Sequence, residues 1–348
     1  MFPKYQWRSI SLFFHLLHRI KPYKVETRVL SGEDIAVRCK QVSLNYQKLN
    51  WVSSFLVYRK LVDALASSQK IEVRPLKHLM EPMQDSEVIV SLRHDMDADI
   101  VTGVRAARYL ARKGLPGSFF LLHTSHYYGA LEDDIFYRFS GLRSFINDFL
   151  AAGIELGLHA DPLSLYYDRH INGTQAVKTE LAWLRSLNVN ISGTVAHNSA
   201  PVYGAENFEI FKGLSVGGRK NVTHNNKKLP LQTLDMNDTG LLYEGNYPIA
   251  NDSLNPAEVK NYFELSVGEC IHDTKWQHYY FIDNPFFRRQ YEVDIWLIKN
   301  DTWVIASRIL DEEGLLTVDT AGLIDYLNEV GFGKRIVVSV HPEYISGD

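Results

Sequence analysis

Val88-Ile-Val-Ser-Leu-Arg-His-Asp-Met-Asp97 is the stretch on which the fold turns: a short apolar run, Val88 to Leu92, that empties directly into a cluster of charged and ligating side chains. A run of this length without helical spacing suits a buried strand. The residues after it have a different period. Val101, Val104, Ala107 and Leu110 fall on one side of a helix that Gly114 and Pro116 bring to a stop. The alternation then repeats. Phe119 to Leu122 reads as a strand, Leu142, Phe145, Ile146 and Phe149 as a helix ahead of Gly153, and Ile154 to Leu158 as the next strand. Val177, Leu181, Leu184 and Leu187 mark another helix, and Ile191 to Ala196 another strand. Near the end, Leu323, Ile324, Leu327 and Val330 precede a strand over Arg335 to Val340. Strand and helix in turn predict an α/β fold with parallel strands.

Towards the N-terminus, residues 1–85 read as a mostly helical extension. Trp51, Phe55, Leu61, Val62 and Leu65 sit near helical spacing, and Pro75 and Pro82 punctuate the chain before a boundary near residue 86. The main domain is expected over 86–348. Between about 205 and 310 the pattern is irregular, rich in Asn, Asp, Gly and aromatic residues, and its strands are not ordered by sequence alone.

Composition narrows the function. With 45% hydrophobic and 22% charged residues the 348-residue chain is ordinarily globular. A net charge of −4 gives no basic field for a phosphate backbone, so nucleic acid is not an expected partner. Cys39 and Cys270 lack metal-type spacing and suit a reducing compartment. The apolar run Ile10 to Leu17 is interrupted by His15 and is too short to span a bilayer, so no transmembrane segment is expected there. It reads as a helix packed on the main domain or as an interfacial helix with Lys4, Arg8 and Arg19 near headgroups, which would give peripheral membrane association. A cytoplasmic location is the expectation.

In parallel α/β barrels the reactive groups collect where strands end. Here Arg93, His94, Asp95 and Asp97 follow the first strand, His123 the second, His159 and Asp161 the third, His197 and Asn198 the fourth, and His341 and Glu343 the last. Carboxylate plus imidazoles suits Zn²⁺ or a similar divalent ion with an open position for water. With Asp95 and Asp97 two apart, one carboxylate can ligate while the other takes a proton. The blander reading is that Asp97 or Asp99 caps the next helix and that the histidines are hydrogen-bonded core residues.

Taken together these residues resemble the polysaccharide deacetylase family, also known as the NodB-homology or carbohydrate esterase family 4 domain, over about residues 86–348. Arg93-His-Asp-Met-Asp97 is similar to its first motif, which implies Asp95 as catalytic base and Asp97 as metal ligand. Gly153-Ile-Glu-Leu-Gly-Leu-His159 resembles the approach to the second motif and implies His159 as a ligand. Val338-Ser-Val-His-Pro-Glu343 resembles the last motif and implies His341 as catalytic acid. Two positions depart from the pattern. Where the family has a second ligating His stands Leu163, for which His197 is the first replacement and Asp161 the second, and no Arg-containing third motif is found around Ala200 to Tyr203.

The resemblance implies a distorted (β/α) barrel, closed so that Asp95 and His341 meet across one site. It also implies metal-dependent hydrolysis of an N-acetyl or related amide on a sugar, in surface-polysaccharide assembly such as lipopolysaccharide biosynthesis. Asp161, Asn198 and Tyr203 are the expected substrate contacts. Tyr127, Tyr128, Tyr166 and Tyr167 stack on sugar rings or pack their loops, and backbone N–H groups near Ser199 are candidates for an oxyanion. The competing readings are a non-catalytic sugar-binding or scaffold protein on the same fold, and a hydrolase of another linear or cyclic amide.

Overall fold

A computed structural model describes residues 20–48, 52–79, 81, 88–215, 218–224, 227–245, 248–250, 287–289, 293–298, 301–307, 315–329 and 334–347. Ten strands build one sheet: β1 (Ile71–Val73), β2 (Val88–Met96), β3 (Ser118–Leu122), β4 (Glu155–Ala160), β5 (Gly193–Ala196), β6 (Tyr243–Glu244), β7 (Val293–Leu297), β8 (Trp303–Ser307), β9 (Leu315–Val318) and β10 (Lys334–Val340). Their order is β6-β5-β4-β3-β2-β10-β7-β8-β9. Every pair from β6 to β7 is parallel, and β8 and β9 add an antiparallel margin. β1 shares one edge of β2 with β3: Ile71 lies opposite Val88, and Ser118 opposite Arg93. The parallel α/β expectation is therefore met.

Helices α1 (Gly32–Lys48), α2 (Phe55–Ser67), α3 (Ile100–Lys113), α4 (Leu142–Ala151), α5 (Pro162–Arg169), α6 (Gly173–Ser186), α7 (Ala200–Tyr203) and α8 (Thr320–Glu329) accompany the strands. Because β2, β3 and β4 are buried at every residue, their apolar runs are continuous rather than alternating, as strands covered on both faces require. α3 begins at Asp99, whose side chain accepts from the Thr102 N–H, and ends at Gly114 in the left-handed region (φ +69°). The helix cap is thus Asp99 rather than Asp97, which frees Asp97 for other work.

The described part of the N-terminal extension is not purely helical. Lys24–Arg28 pairs in parallel with Ile135–Phe139, which makes a hairpin with Gly129–Glu132. α1 packs on α3 and α4, and Phe55, Tyr58, Leu61, Val62 and Leu65 of α2 are buried in the same core as β2, β3 and β4. The boundary near residue 86, the segment Phe2 to Arg19 and Cys270 lie outside the described residues. Among the described residues no helix is long and apolar enough to cross a membrane.

Candidate metal centre

β2 runs four residues beyond Leu92, so Arg93 to Met96 belong to the strand and alternate across it. The two faces have different chemistry. His94 stacks flat on Phe119, with ring centroids 3.9 Å apart, and its Nε2 accepts from the Tyr58 hydroxyl at 2.8 Å while Nδ1 donates to the Ser118 carbonyl at 3.2 Å. It is a core histidine, away from the site, and burial pushes its pKa down to about 4. Arg93 and Asp95 point the other way. Asp95 Oδ2 lies 2.9 Å from Arg93 Nη2, both groups nearly inaccessible, and Asp95 Oδ1 is buried without a hydrogen-bond partner. An arginine two residues earlier on the same strand thus holds this carboxylate. The sequence signal was the i, i+2 spacing within a strand.

Asp97, His159 and His197 converge, their ligand atoms all within 4.8 Å of one another. His159 is at the end of β4, where its Nδ1 donates to the Val195 carbonyl of β5 at 2.9 Å. That hydrogen bond fixes the tautomer. Nε2 is turned towards Asp97 Oδ1, 3.1 Å away, and Asp97 Oδ1 has no well-formed hydrogen bond. A neutral imidazole would set a lone pair against the carboxylate here, an arrangement relieved either by a second proton on the ring or by a metal ion between the two groups. His197 Nε2 lies 3.8 Å from Asp97 Oδ2. Two ligands about 2.1 Å from one tetrahedral ion are roughly 3.3 to 3.4 Å apart, so the separations at Asp97 bracket what a small divalent ion needs. The donor set, one carboxylate and two imidazoles, fits a metal. It is the triad expected from the strand ends, with His197 in place of the position held by Leu163, which is buried in the core.

Electrostatics agree with the geometry. Burial favours a protonated Asp97, but His197, His159 and His341 outweigh it and hold the carboxyl well below the usual range. Burial disfavours a charged His197, yet Asp97 and Asp161 push its pKa up to about 9. Asp161 supports this imidazole from behind. Its Oδ2 is 3.9 Å from His197 Nδ1 and accepts from Thr124 and Ser164, and its Oδ1 accepts from Asn207. His123, at the end of the second predicted strand, is fully buried, and its Nε2 accepts from the Asp161 N–H at 2.9 Å.

His341 leaves β10 beside β2, where Val340 is paired with His94. Its Nε2 is 3.6 Å from Asp97 Oδ2. Burial lowers its pKa below the ordinary value, opposed by Asp97 and Asp95. Hydrogen-bonded neighbouring strands are enough to bring Asp95 and His341 together, so the expectation that a closed barrel is needed for this is corrected.

The structure corrects other expectations as well. Tyr127 and Tyr128 are fully buried: Tyr127 donates to the Met96 carbonyl and Tyr128 to Glu180, so neither is open to a sugar ring. Tyr166 and Tyr167 are buried against each other, and the Tyr203 hydroxyl donates to Asp168, which leaves Tyr203 a packing residue and not an open substrate contact. Asp161 is likewise occupied, by Thr124, Ser164 and Asn207, and is not an open substrate contact. The Ser199 N–H donates to Glu206 and is not free for an oxyanion. Asn198 is exposed next to His197. Comparison of the chain with family models, with curated proteins and with solved structures gives no match.

Proposed function

We propose that the chain is a metal-dependent deacetylase of the polysaccharide deacetylase type, built on that family's distorted (β/α) barrel and hydrolysing an N-acetyl or related acyl amide on a sugar in surface-polysaccharide assembly. The observation that carries this reading is the convergence of Asp97, His159 and His197, flanked by a second carboxylate and a further imidazole on neighbouring strands. A divalent ion, Zn²⁺ in the first instance, would be held by Asp97, His159 and His197, and when bound would polarise a water and the acyl oxygen.

The remaining chemistry belongs to the chain. Asp95 accepts a water proton at Oδ1, its unpartnered oxygen, while Arg93 fixes Oδ2. As the water oxygen bonds to the acyl carbon and the C–N bond breaks, His341 delivers a proton to the departing nitrogen, giving an amine and a carboxylic acid. Asn198 is the exposed polar side chain placed to meet the sugar. The test is acetate release from a panel of N-acetylated sugars by metal-loaded protein, beside linear and cyclic amides. Release from the sugars only is the expected result. Release from the other amides reassigns the substrate, and none from any compound leaves a sugar-binding or scaffold role.

A further inference from the structure

His341 sits just before Pro342–Gly347, a short segment that the N-terminal extension contacts through residues 53–55 and through Tyr46. Residues 53–55 run beside it. The Ser53 N–H donates to the Tyr344 carbonyl at 2.7 Å, the Phe55 N–H to the Gly347 carbonyl at 3.0 Å, and the Gly347 N–H returns to the Ser53 carbonyl at 3.2 Å. Ser54 and Gly347 form a parallel bridge. Gly347 is required there because a Cβ would come within 2.7 Å of the Ser53 carbonyl oxygen. From α1, the Tyr46 ring meets Tyr344 edge-on at 5.7 Å, and Tyr344 lies 5.4 Å from the His341 ring. α1 also reaches the other side of the site, where Ser43 donates to Asp99, two residues beyond Asp97.

A short segment beyond the end of a strand positions its side chains only as well as its contacts tie it down. α3 and β2 touch this segment too, and further ties come from residues 43–48 and 53–55, which supply no ligand and touch no reacting atom. We infer that the N-terminal extension is a positioning element of the reaction: Tyr46 and the Ser53–Phe55 bridge latch residues 342–347, and so hold His341 over Asp97. The inference rests on the deacetylase reading for its kinetic consequence, and on hydrogen bonds alone for the latch itself. Because misplacing a catalytic group by about 1 Å costs up to roughly 10²-fold in rate, a loosened latch reads out in turnover before it reads out in metal binding.

Three variants test it in the full chain: Gly347→Val, Gly347→Ala and Tyr46→Ala, with Tyr46→Phe as the conservative control. Hydrogen exchange comes first, since it needs no substrate. The amides of Tyr344 and Gly347 should lose protection in the Gly347 variants while those of β2 and α2 keep theirs. For turnover, kcat should fall about 10- to 100-fold with KM and Zn²⁺ affinity within about twofold, and Tyr46→Phe should recover most of what Tyr46→Ala loses. Adding Gly347→Val to His341→Ala should cost nothing further, because the latch acts through that imidazole. Unchanged exchange over 342–347 overturns the latch. A loss of turnover that repeats in full on the His341→Ala background, or Zn²⁺ binding that falls in parallel, overturns its action through His341. If exchange responds as expected while the wild-type protein hydrolyses no amide, the latch stands and the deacetylase reading fails.

Discussion

Glu180 and Asp97 are both carboxylates with basic groups around them, and the contrast between them separates architecture from chemistry. Glu180 of α6 is completely buried and completely answered: Oε1 accepts from Tyr23 and Arg138, and Oε2 from Tyr128 and Arg138, while Trp183 covers the guanidinium at 4.0 Å. No lone pair points at another. Asp97 is answered only in charge. The imidazole nearest it has its Nδ1 bound to the Val195 carbonyl and turns Nε2 towards Asp97, and one carboxylate oxygen has no well-formed hydrogen bond. A network that closes on itself ties together Tyr23, α6 and the hairpin strand Ile135–Phe139, whereas one left open has room for an ion. Both hold charge partly or wholly out of water at a cost, and only the second leaves a function as the return.

Substitutions at the reacting groups around Asp97 should have the largest effect. Asp95→Asn and His341→Ala should each lower acetate release about 10²- to 10⁴-fold while leaving the melting temperature and Zn²⁺ stoichiometry near those of the parent. Turnover at the parental rate in both would mean that neither group transfers a proton.

Glu180 should behave in the opposite sense. Glu180→Ala strands the buried Arg138 and should cost about 3–5 kcal/mol of unfolding free energy, measured by denaturant titration, with Zn²⁺ affinity unaltered wherever the protein remains folded. A variant of normal stability, or one that loses Zn²⁺ while folded, would erase the distinction between the two carboxylates.

A smaller effect comes from His94, the histidine that shares a strand with the site but not its chemistry. Its pKa falls from 6.5 in the ordinary imidazole to about 4 in the fold, because burial excludes the charged form. The unfolded chain therefore binds the proton first. Its contribution to stability is whole above pH 6.5 and drains away as pH falls towards 4, by about 3 kcal/mol in all. His94→Gln should remove that part of the acid slope, measured as the difference between the two proteins' unfolding free energies across this range. Parallel slopes would show that His94 is not buried in the native protein.

The same contrast explains what the sequence could and could not reveal. Strand ends were legible because β2, β3, β4 and β10 are apolar runs closed abruptly by polar residues, and counting along them placed Asp97, His159, His197 and His341 in one neighbourhood. His197 was legible for a further reason: once Leu163 removed the expected ligand, the next strand end was the next nearest source of an imidazole. Direction was harder to read. His94 and Asp95 are adjacent letters on opposite faces, and only the true length of β2 tells which is which. The tyrosines misled because a loop position says nothing about whether a ring turns inward; Tyr127 and Tyr128 pack beneath the site rather than line it. Lys24–Arg28 was invisible since its side chains are mostly exposed and it carries no apolar run, although Asp133 and Asp134, both at positive φ, marked the turn of the hairpin it joins.

Everything in the site hinges on the cation. Chelator-treated protein titrated with Zn²⁺ by calorimetry should take up one ion per chain, releasing a proton as it does so, because His197 is protonated below about pH 9 in the metal-free molecule. Affinity should then rise about tenfold per pH unit through the neutral range, and Asp97→Ala, His159→Ala and His197→Ala should each abolish or weaken uptake by at least about 10²-fold. No uptake of Zn²⁺ or another divalent ion by the parent, or uptake indifferent to all three substitutions, would contradict the metal centre and the hydrolytic reading with it.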